Sequence, residues 1–223
     1  MIYVWYDDYR NSEDQISARI SSFMKWSIIL ASRSKWRLQM LLDLGLKVTP
    51  RSPDVDESQY TAETAPELAL LLAKKKAEAV WNSNRDSVVI GSDQVAFMGK
   101  ETFGKPVDES DHFRRLCSLR GRSHSLVTAV VILYPADDNL NGGPESVCFS
   151  ETTEVHFRAD VSDEEIWEYV RTGEASGCAG GYMVERRGAW LIDHIEGDYF
   201  NVVGLPVFGV IKVLRSLGMR LES

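Results

Sequence analysis

The sequence is poor in the residues that mark several large function classes. Its three cysteines, Cys117, Cys148 and Cys178, are odd in number, far apart and without a C-x-x-C pair. That pattern suggests neither a disulfide framework nor a zinc site and fits a reducing compartment. The four histidines show no H-E-x-x-H spacing, so a zinc hydrolase is not expected. Neither a G-x-S-x-G elbow nor a Walker-type glycine loop occurs. No apolar run approaches membrane-spanning length. The N-terminal MIYVWYDDYRNSEDQ has acids and aromatics where a secretory signal needs a basic end and an apolar centre, so a cytoplasmic protein without a membrane partner is expected. Acids outnumber bases, 33 Asp and Glu against 25 Lys and Arg, so the formal net charge is -8 and the pI about 5.1. Such a balance argues against a nucleic-acid polymer as partner and requires any phosphate site to concentrate its cations locally.

One stretch does so. Ser27 to Leu44 opens with the apolar run Ile28-Ile29-Leu30, passes a polar turn, and continues with Leu38, Leu41 and Leu42 at helical spacing before Gly45, which reads as strand, tight loop, helix. Arg33, Lys35 and Arg37 occupy the loop and helix entrance beside Ser32 and Ser34, with no carboxylate among them. Free backbone N–H groups at a helix start, hydroxyls and cations together suit a phosphate; a solvated basic turn is the plainer reading of any one residue alone. Further along, Leu46 to Thr49 reads as a short strand, Arg51 to Ser58 as an acidic loop, and Thr64 to Trp81 as a long helix whose consecutive Lys74, Lys75 and Lys76 cannot share one face. Ser87 to Val95 is the clearest strand, apolar enough to be buried on both faces, and is expected to end by presenting Asp93. Lys105 follows in a Gly104–Pro106 turn. A helix near Asp108–Leu119, strands at His124–Leu133 and Val147–Arg158, a capping-box helix start at Ser162–Glu165 and a helix at Pro206–Leu217 complete an α/β pattern. Residues 1–23 read as an N-terminal extension and 24–223 as one domain.

Cleaving a phosphoanhydride needs cations on the phosphates, a divalent metal on hard oxygens and a base for water. Asp54, Asp56 and Glu57 form an acidic loop suited to magnesium or manganese; Asp93 is placed as general base or metal ligand; Lys105 and Lys76 are candidates for neutralising the leaving pyrophosphate. Each has a structural reading too: Asp56 or Ser58 as a helix cap, Asp93 as a strand-end acceptor, Lys105 as a surface turn. Cys178, beside glycines but with no base to pair with, reads as a small buried residue.

Six segments occur in register: L-A-S-R-S-K-W-R (Leu30–Arg37), S-P-D-V-D-E (Ser52–Glu57), K-K-A (Lys75–Ala77), G-S-D-Q-V (Gly91–Val95), G-K-P (Gly104–Pro106) and I-E-G-D-Y-x-N-V-V-G-L-P (Ile195–Pro206). Together they resemble the Maf (septum-formation-like) family of nucleotide pyrophosphatases over about Lys25 to Gly218. The resemblance implies a Maf/ITPase-like two-lobed fold with a central mixed twisted sheet and a nucleotide cleft between the lobes. It also implies divalent-metal-dependent hydrolysis between the α- and β-phosphates of a nucleoside triphosphate. By motif, Asp93 is the catalytic base, with Ser34, Arg37, Glu57, Lys76 and Lys105 at phosphate- and metal-handling positions; the metal falls to Glu57 and Asp93. Leu38 stands where many members have a second arginine, and Lys35 where proline is common. Trp36, Gln94 and Glu185 resemble the branch acting on 7-methyl-GTP, in which an indole faces a cationic base and a carboxylate accepts from guanine donors. Hydrolysis of 7-methyl-GTP to 7-methyl-GMP is therefore the expected activity. The alternatives are the dTTP/UTP branch and a nucleotide-binding regulator of septum formation without turnover. A second copy of the chain is an open option as partner.

Overall fold

In the computed structural model, residues 26–136 and 143–220 are described; the expected extension (1–23) and part of the loop after Tyr134 lie outside them. Among the described residues, seven strands form one mixed sheet and six α-helices cover it. The strands are β1 (Ser27–Ala31), β2 (Val48–Arg51), β3 (Ser87–Met98), β4 (Glu101–Phe103), β5 (Ser123–Pro135), β6 (Pro144–Phe157) and β7 (Ile192–Glu196); the order is β2-β1-β3-β5-β6-β7, with β4 on β3. β2, β1 and β3 run parallel, and the rest pair antiparallel. The helices are α1 (Lys35–Asp43), α2 (Ala65–Trp81), α3 (Glu109–Leu119), α4 (Asp163–Arg171), α5 (Tyr199–Val203) and α6 (Val207–Ser216).

Local chemistry sets these boundaries. Thr64 and Glu67 exchange bonds as a capping box at the start of α2, and Ser162 and Glu165 do the same for α4, each satisfying donors that a helix start leaves open. β2 lies later than its apolar residues suggest and includes Pro50; as an edge strand paired only with β1, it tolerates a residue without an N–H.

Three apolar clusters sort the molecule into two lobes. One packs α2 on a sheet face through Ala65, Ala69, Ala73, Ala77 and Trp81; another packs α1 and α6 on β1 and β3 through Leu41, Val210 and Leu214. The third lies beyond the end of β1, where α3 and α4 close over Ala96, Leu126 and Val155. The sheet joins the lobes through β3, β5 and β6.

β3 departs from the expectation in an instructive way: it does not end near Asp93 but runs on to Met98. Its parallel pairing with β1 stops at Ala31–Gly91, while antiparallel pairing with β5 continues to Phe97. Asp93 therefore sits inside a strand, two residues past the point where its neighbour leaves. The gap so opened is the cleft, at the carboxyl end of a parallel strand where α/β sheets bind ligands.

α2 presses closely on β3 at this level. A Cβ built on Gly91 would lie 2.5 Å from the Ala73 carbonyl oxygen and 2.7 Å from Ala77 Cβ. Gly91→Ala is expected to cost about 1–3 kcal/mol by overpacking, read as a lower urea midpoint, and to displace Lys76.

His124, 2 % exposed, lies among Phe103, Phe157 and Tyr182, with Nε2 3.0 Å from the Tyr182 hydroxyl. Burial first, then the nearby His156, push its pKa from 6.5 down to about 4, against the pull of Glu154. Between those values the unfolded chain takes a proton that the folded chain refuses. Stability from this group is therefore complete above about pH 6.5 and declines as pH falls towards 4, by about 3 kcal/mol in full. Urea unfolding from pH 7 to 4.5 should show a shallower decline in His124→Asn than in the parent.

Candidate active site

A cavity of about 690 Å³ lies between the lobes, within the usual range for small-molecule sites of roughly 300–1,000 Å³. Its lining includes Arg33, Ser34, Lys35, Trp36, Arg37, Glu57, Lys76, Asp93, Gln94, Lys105 and Glu185. Apart from Asp54 and Asp56, the site residues expected from the sequence thus face one space, although the segments that carry them are remote in the chain.

At its floor is a three-membered ion cluster. Lys76 Nζ lies 2.5 Å from Asp93 Oδ1 and 2.8 Å from Glu57 Oε1. Of the three consecutive lysines, Lys74 and Lys75 approach Glu78 at the helix surface. Lys76 alone turns inward and is buried, 7 % exposed. Burial raises the Asp93 carboxyl above its ordinary range, outweighing the opposing charges of Lys76 and Arg37. Burial pushes Glu57 up as well, but its bond to Lys76 and the charges of Lys76, Lys105 and Arg33 hold it below the usual carboxylate range. Two carboxylates around one ammonium are thus driven apart in proton affinity, the pattern that separates a base from a permanently charged partner.

The acidic loop contributes less than expected. Asp56 spends both oxygens on Ser58 and Gln59 as the cap of a 3-10 turn at Glu57–Gln59, and Asp54 does not line the cleft. Glu57 alone reaches in. Glu57 and Asp93 each bind Lys76 through one oxygen, and the remaining oxygens suit a hard cation that takes one or two protein carboxylates and completes its shell with phosphate and water.

The cationic side divides into two kinds. Arg33, Lys35 and Lys105 are exposed at the cleft wall. Arg37 is anchored: Nε donates to the Gly204 carbonyl and Nη1 to the Ser92 carbonyl, both at 2.8 Å, so it ties α1 to β3 and to the turn after α5. Its pKa is lowered, burial opposing the charges of Asp93 and Glu57. The Ser34 hydroxyl accepts from the Arg37 N–H as the cap of α1, leaving its own O–H to donate. Leu38 packs among the apolar residues of α1 and α6 and is not part of the cleft lining.

The base-side residues are more engaged than the sequence suggests. Gln94 Nε2 donates to the Asn201 carbonyl at 2.6 Å and to Thr128 Oγ1 at 3.0 Å. Those bonds fix the amide and leave Oε1 to accept. Trp36 packs on the α3–α4 core and carries two cations near its ring, Arg186 at 4.8 Å and Lys35 at 5.1 Å. Glu185 is half-buried, and burial raises its carboxyl against the pull of Arg186. It enters the cleft by way of the turn Ala179–Gly181, where Gly181 at φ 77° lies against His112 with no space for a Cβ. Sequence reasoning gave Asn201 no role beyond its place in the Ile195–Pro206 segment: fully buried, it donates from Nδ2 to Leu126, Glu151 and Thr153 and holds Gln94 through its carbonyl. A lone amide in the apolar Asn201-Val202-Val203 run was the available signal.

Removing Asp93's charge isolates its role. Asp93→Asn should lower the rate of pyrophosphate release by at least about a hundredfold while nucleotide binding persists. In the parent, kcat/KM should rise with pH through a value above the ordinary carboxylate range. An Asp93→Asn variant with parental turnover would refute a base at this position.

The chain matches the family described as Maf-like protein over residues 27–217. A protein of Aquifex aeolicus named dTTP/UTP pyrophosphatase is 40% identical over 194 residues, 86% of this chain and 96% of its own length. One of Dictyoglomus thermophilum with the same name is 36% identical over 199 residues, 89% of this chain and 100% of its own length. A solved Ham1 protein of Staphylococcus aureus is similar over 60% of this chain and 72% of its own, at 16% identity and a TM-score of 0.41, a likeness too slight to argue from. The relatives' names stand with the pyrimidine alternative and not with the expected 7-methyl-GTP preference. Two of the three residues behind that expectation are also committed within the protein: the Trp36 ring already has cations beside it, and Gln94 has spent both its N–H groups.

Proposed function

This chain belongs to the Maf-like protein family, and from that premise we propose that it is a nucleoside triphosphate pyrophosphatase acting on dTTP and UTP, cleaving the α–β phosphoanhydride to release pyrophosphate. The observation that carries the reading is the cluster of Asp93, Lys76 and Glu57 on the floor of a cleft walled by Arg33, Lys35 and Lys105. A binding-only regulator has no use for a buried carboxylate of raised proton affinity, and an acidic protein has no other reason to gather cations here.

In this reading Asp93 accepts a proton from water at Oδ2, the oxygen not bonded to Lys76. Lys76 holds Asp93 and Glu57 in place and offsets the charge of both. The exposed cations of the wall neutralise the phosphates, and Arg37 positions β3 against the turn after α5. Glu57, through the oxygen not bonded to Lys76, would hold a magnesium or manganese ion beside Asp93; the ion polarises phosphate oxygens when bound, and Asp93 Oδ2 is kept for the water. Gln94 Oε1 is oriented to accept from the N3–H of a uracil or thymine ring.

One feature favours a second reading, 7-methyl-GTP. The half-buried carboxylate of Glu185 lies in the same cleft as Trp36, where it would accept from guanine N1 and N2 and offset a methylated, cationic ring. A hydrolysis panel separates the two. Pyrophosphate release in magnesium is expected to favour dTTP and UTP over 7-methyl-GTP by about tenfold or more in kcat/KM, a difference of about 1.4 kcal/mol. The reverse order would establish the second reading, and Glu185→Gln should then shift preference towards pyrimidines. Absence of pyrophosphate from every nucleotide would remove both.

A further inference from the structure

None of the residues that pair β6 with β7 lines the cleft, yet they gather the densest set of metal-ligating side chains among the described residues. The register sets Glu154 opposite Glu196 and His156 opposite His194. Side chains two apart on a strand share a face, so the four form a square on one side of the sheet. Directly opposed carboxylates repel across a strand pair, and a cation between them removes that cost.

The geometry within the square is specific. The two imidazoles stack with centroids 4.0 Å apart and planes 10° from parallel. His156 Nε2 is 3.7 Å from Glu196 Oε1 and 4.0 Å from Glu154 Oε2, and His194 Nε2 is 3.4 Å from Glu196 Oε1. His156 Nε2 is shielded from solvent and has no hydrogen-bond partner, an orphaned nitrogen in a polar cluster. The ligand atoms of His156, His194 and Glu196 all lie within 4.8 Å of one another.

A β-bulge adds the orienting group. Phe157 pairs with Ile192, so Asp193 is the extra residue on β7, and bulges re-aim side chains in this way. Its Oδ2 lies 2.8 Å from His194 Nδ1. A carboxylate only accepts, so Nδ1 carries the proton, and in the neutral ring Nε2 keeps the lone pair on the side facing Glu196. Carboxylates orient metal-binding histidines by this bond. Glu154 is steadied as well, Oε1 accepting from Ser123 Oγ at 2.6 Å, which leaves Oε2 open.

We propose that this square binds one borderline divalent cation of the zinc, nickel or copper class through His156 Nε2, His194 Nε2 and Glu196, with Glu154 as the fourth ligand. Imidazole nitrogens with carboxylates select those ions over magnesium, so the site is chemically distinct from the all-oxygen donors of the cleft. A modest turn of each ring about its soft terminal torsion converges the lone pairs. The bound ion would clamp β7 to β6. β7 leads through Gly197 and Asp198 into α5, where Asn201 holds Gln94 and the following Gly204 holds Arg37.

Zinc titration of metal-stripped protein, followed by calorimetry and by metal analysis after dialysis, tests the site without reference to turnover. Glu57→Gln serves as the background that disables the cleft carboxylate. The parent and Glu57→Gln should each bind one equivalent with micromolar affinity and gain thermal stability from it. His156→Asn and His194→Asn, folded by circular dichroism, should lose that equivalent, and Asp193→Asn should bind about tenfold more weakly. Zinc bound equally by the parent and both histidine variants, or not bound by the parent at micromolar concentration, overturns the proposal.

Discussion

The close approach of α2 to β3 is the constraint on which the rest depends. A helix lined with Ala69, Ala73 and Ala77 meets a strand that has Gly91 at the contact, and that small-residue seam lets a lysine stem reach across the interface. Without it, Lys76 would join Lys74 and Lys75 near the surface. With it, an ammonium lies between Asp93 and Glu57. Removing charges from water is costly, and a buried ion pair is weak ground for stability. The cluster is better understood as held in place by packing than as the cause of it. The glycine and alanines supply the position, and the position gives Asp93 a proton affinity that no exposed aspartate has.

That arrangement resolves the tension between an acidic chain and an anionic ligand. A net charge of -8 repels phosphate at long range, and screening shortens that repulsion to about 8–10 Å at physiological salt. Inside that distance the local set decides. Arg33 and Lys35 at the entrance of α1 and Lys105 on the opposite lobe face one cavity, while Arg37 is bound to two carbonyls and acts as a tie. Exposed cations that face the cavity, Arg33 and Lys35, and a cation that fixes the wall, Arg37, alternate within one short segment.

Much of this was legible in the chain, and the parts that were not share a cause. Ile28–Leu30, the leucines of α1 and the Ser162–Glu165 cap are local signals, and the elements form where those signals put them. The stretch containing Asp93 was readable as a strand, but its end was not, because β3 continues on the strength of pairing with β5, a partner far along the sequence. Asp56 was chemically eligible as a metal ligand, yet a two-residue bond to Ser58 claimed it. The inward turn of Lys76 depends on which helix face meets the sheet; the family motif singled that lysine out, whereas the run of three lysines by itself did not. Asn201 and the His156–His194 square are products of register between remote segments.

The two lobes also divide the labour unevenly. The proposed chemistry rests on β3, α1 and α2, where regular pairing and close packing leave little freedom: Arg37, Lys76 and Asp93 all belong to secondary structure. Glu185 and Lys105 come from turns and loops of the other lobe, where a changed side chain disturbs no ladder of hydrogen bonds. Loops on a rigid scaffold are where recognition can vary while the scaffold persists. Similarity across the whole chain therefore carries reaction type further than it carries base preference. The candidates for setting that preference in this cleft are a half-buried carboxylate, an indole flanked by cations and an amide whose orientation is set by a buried asparagine.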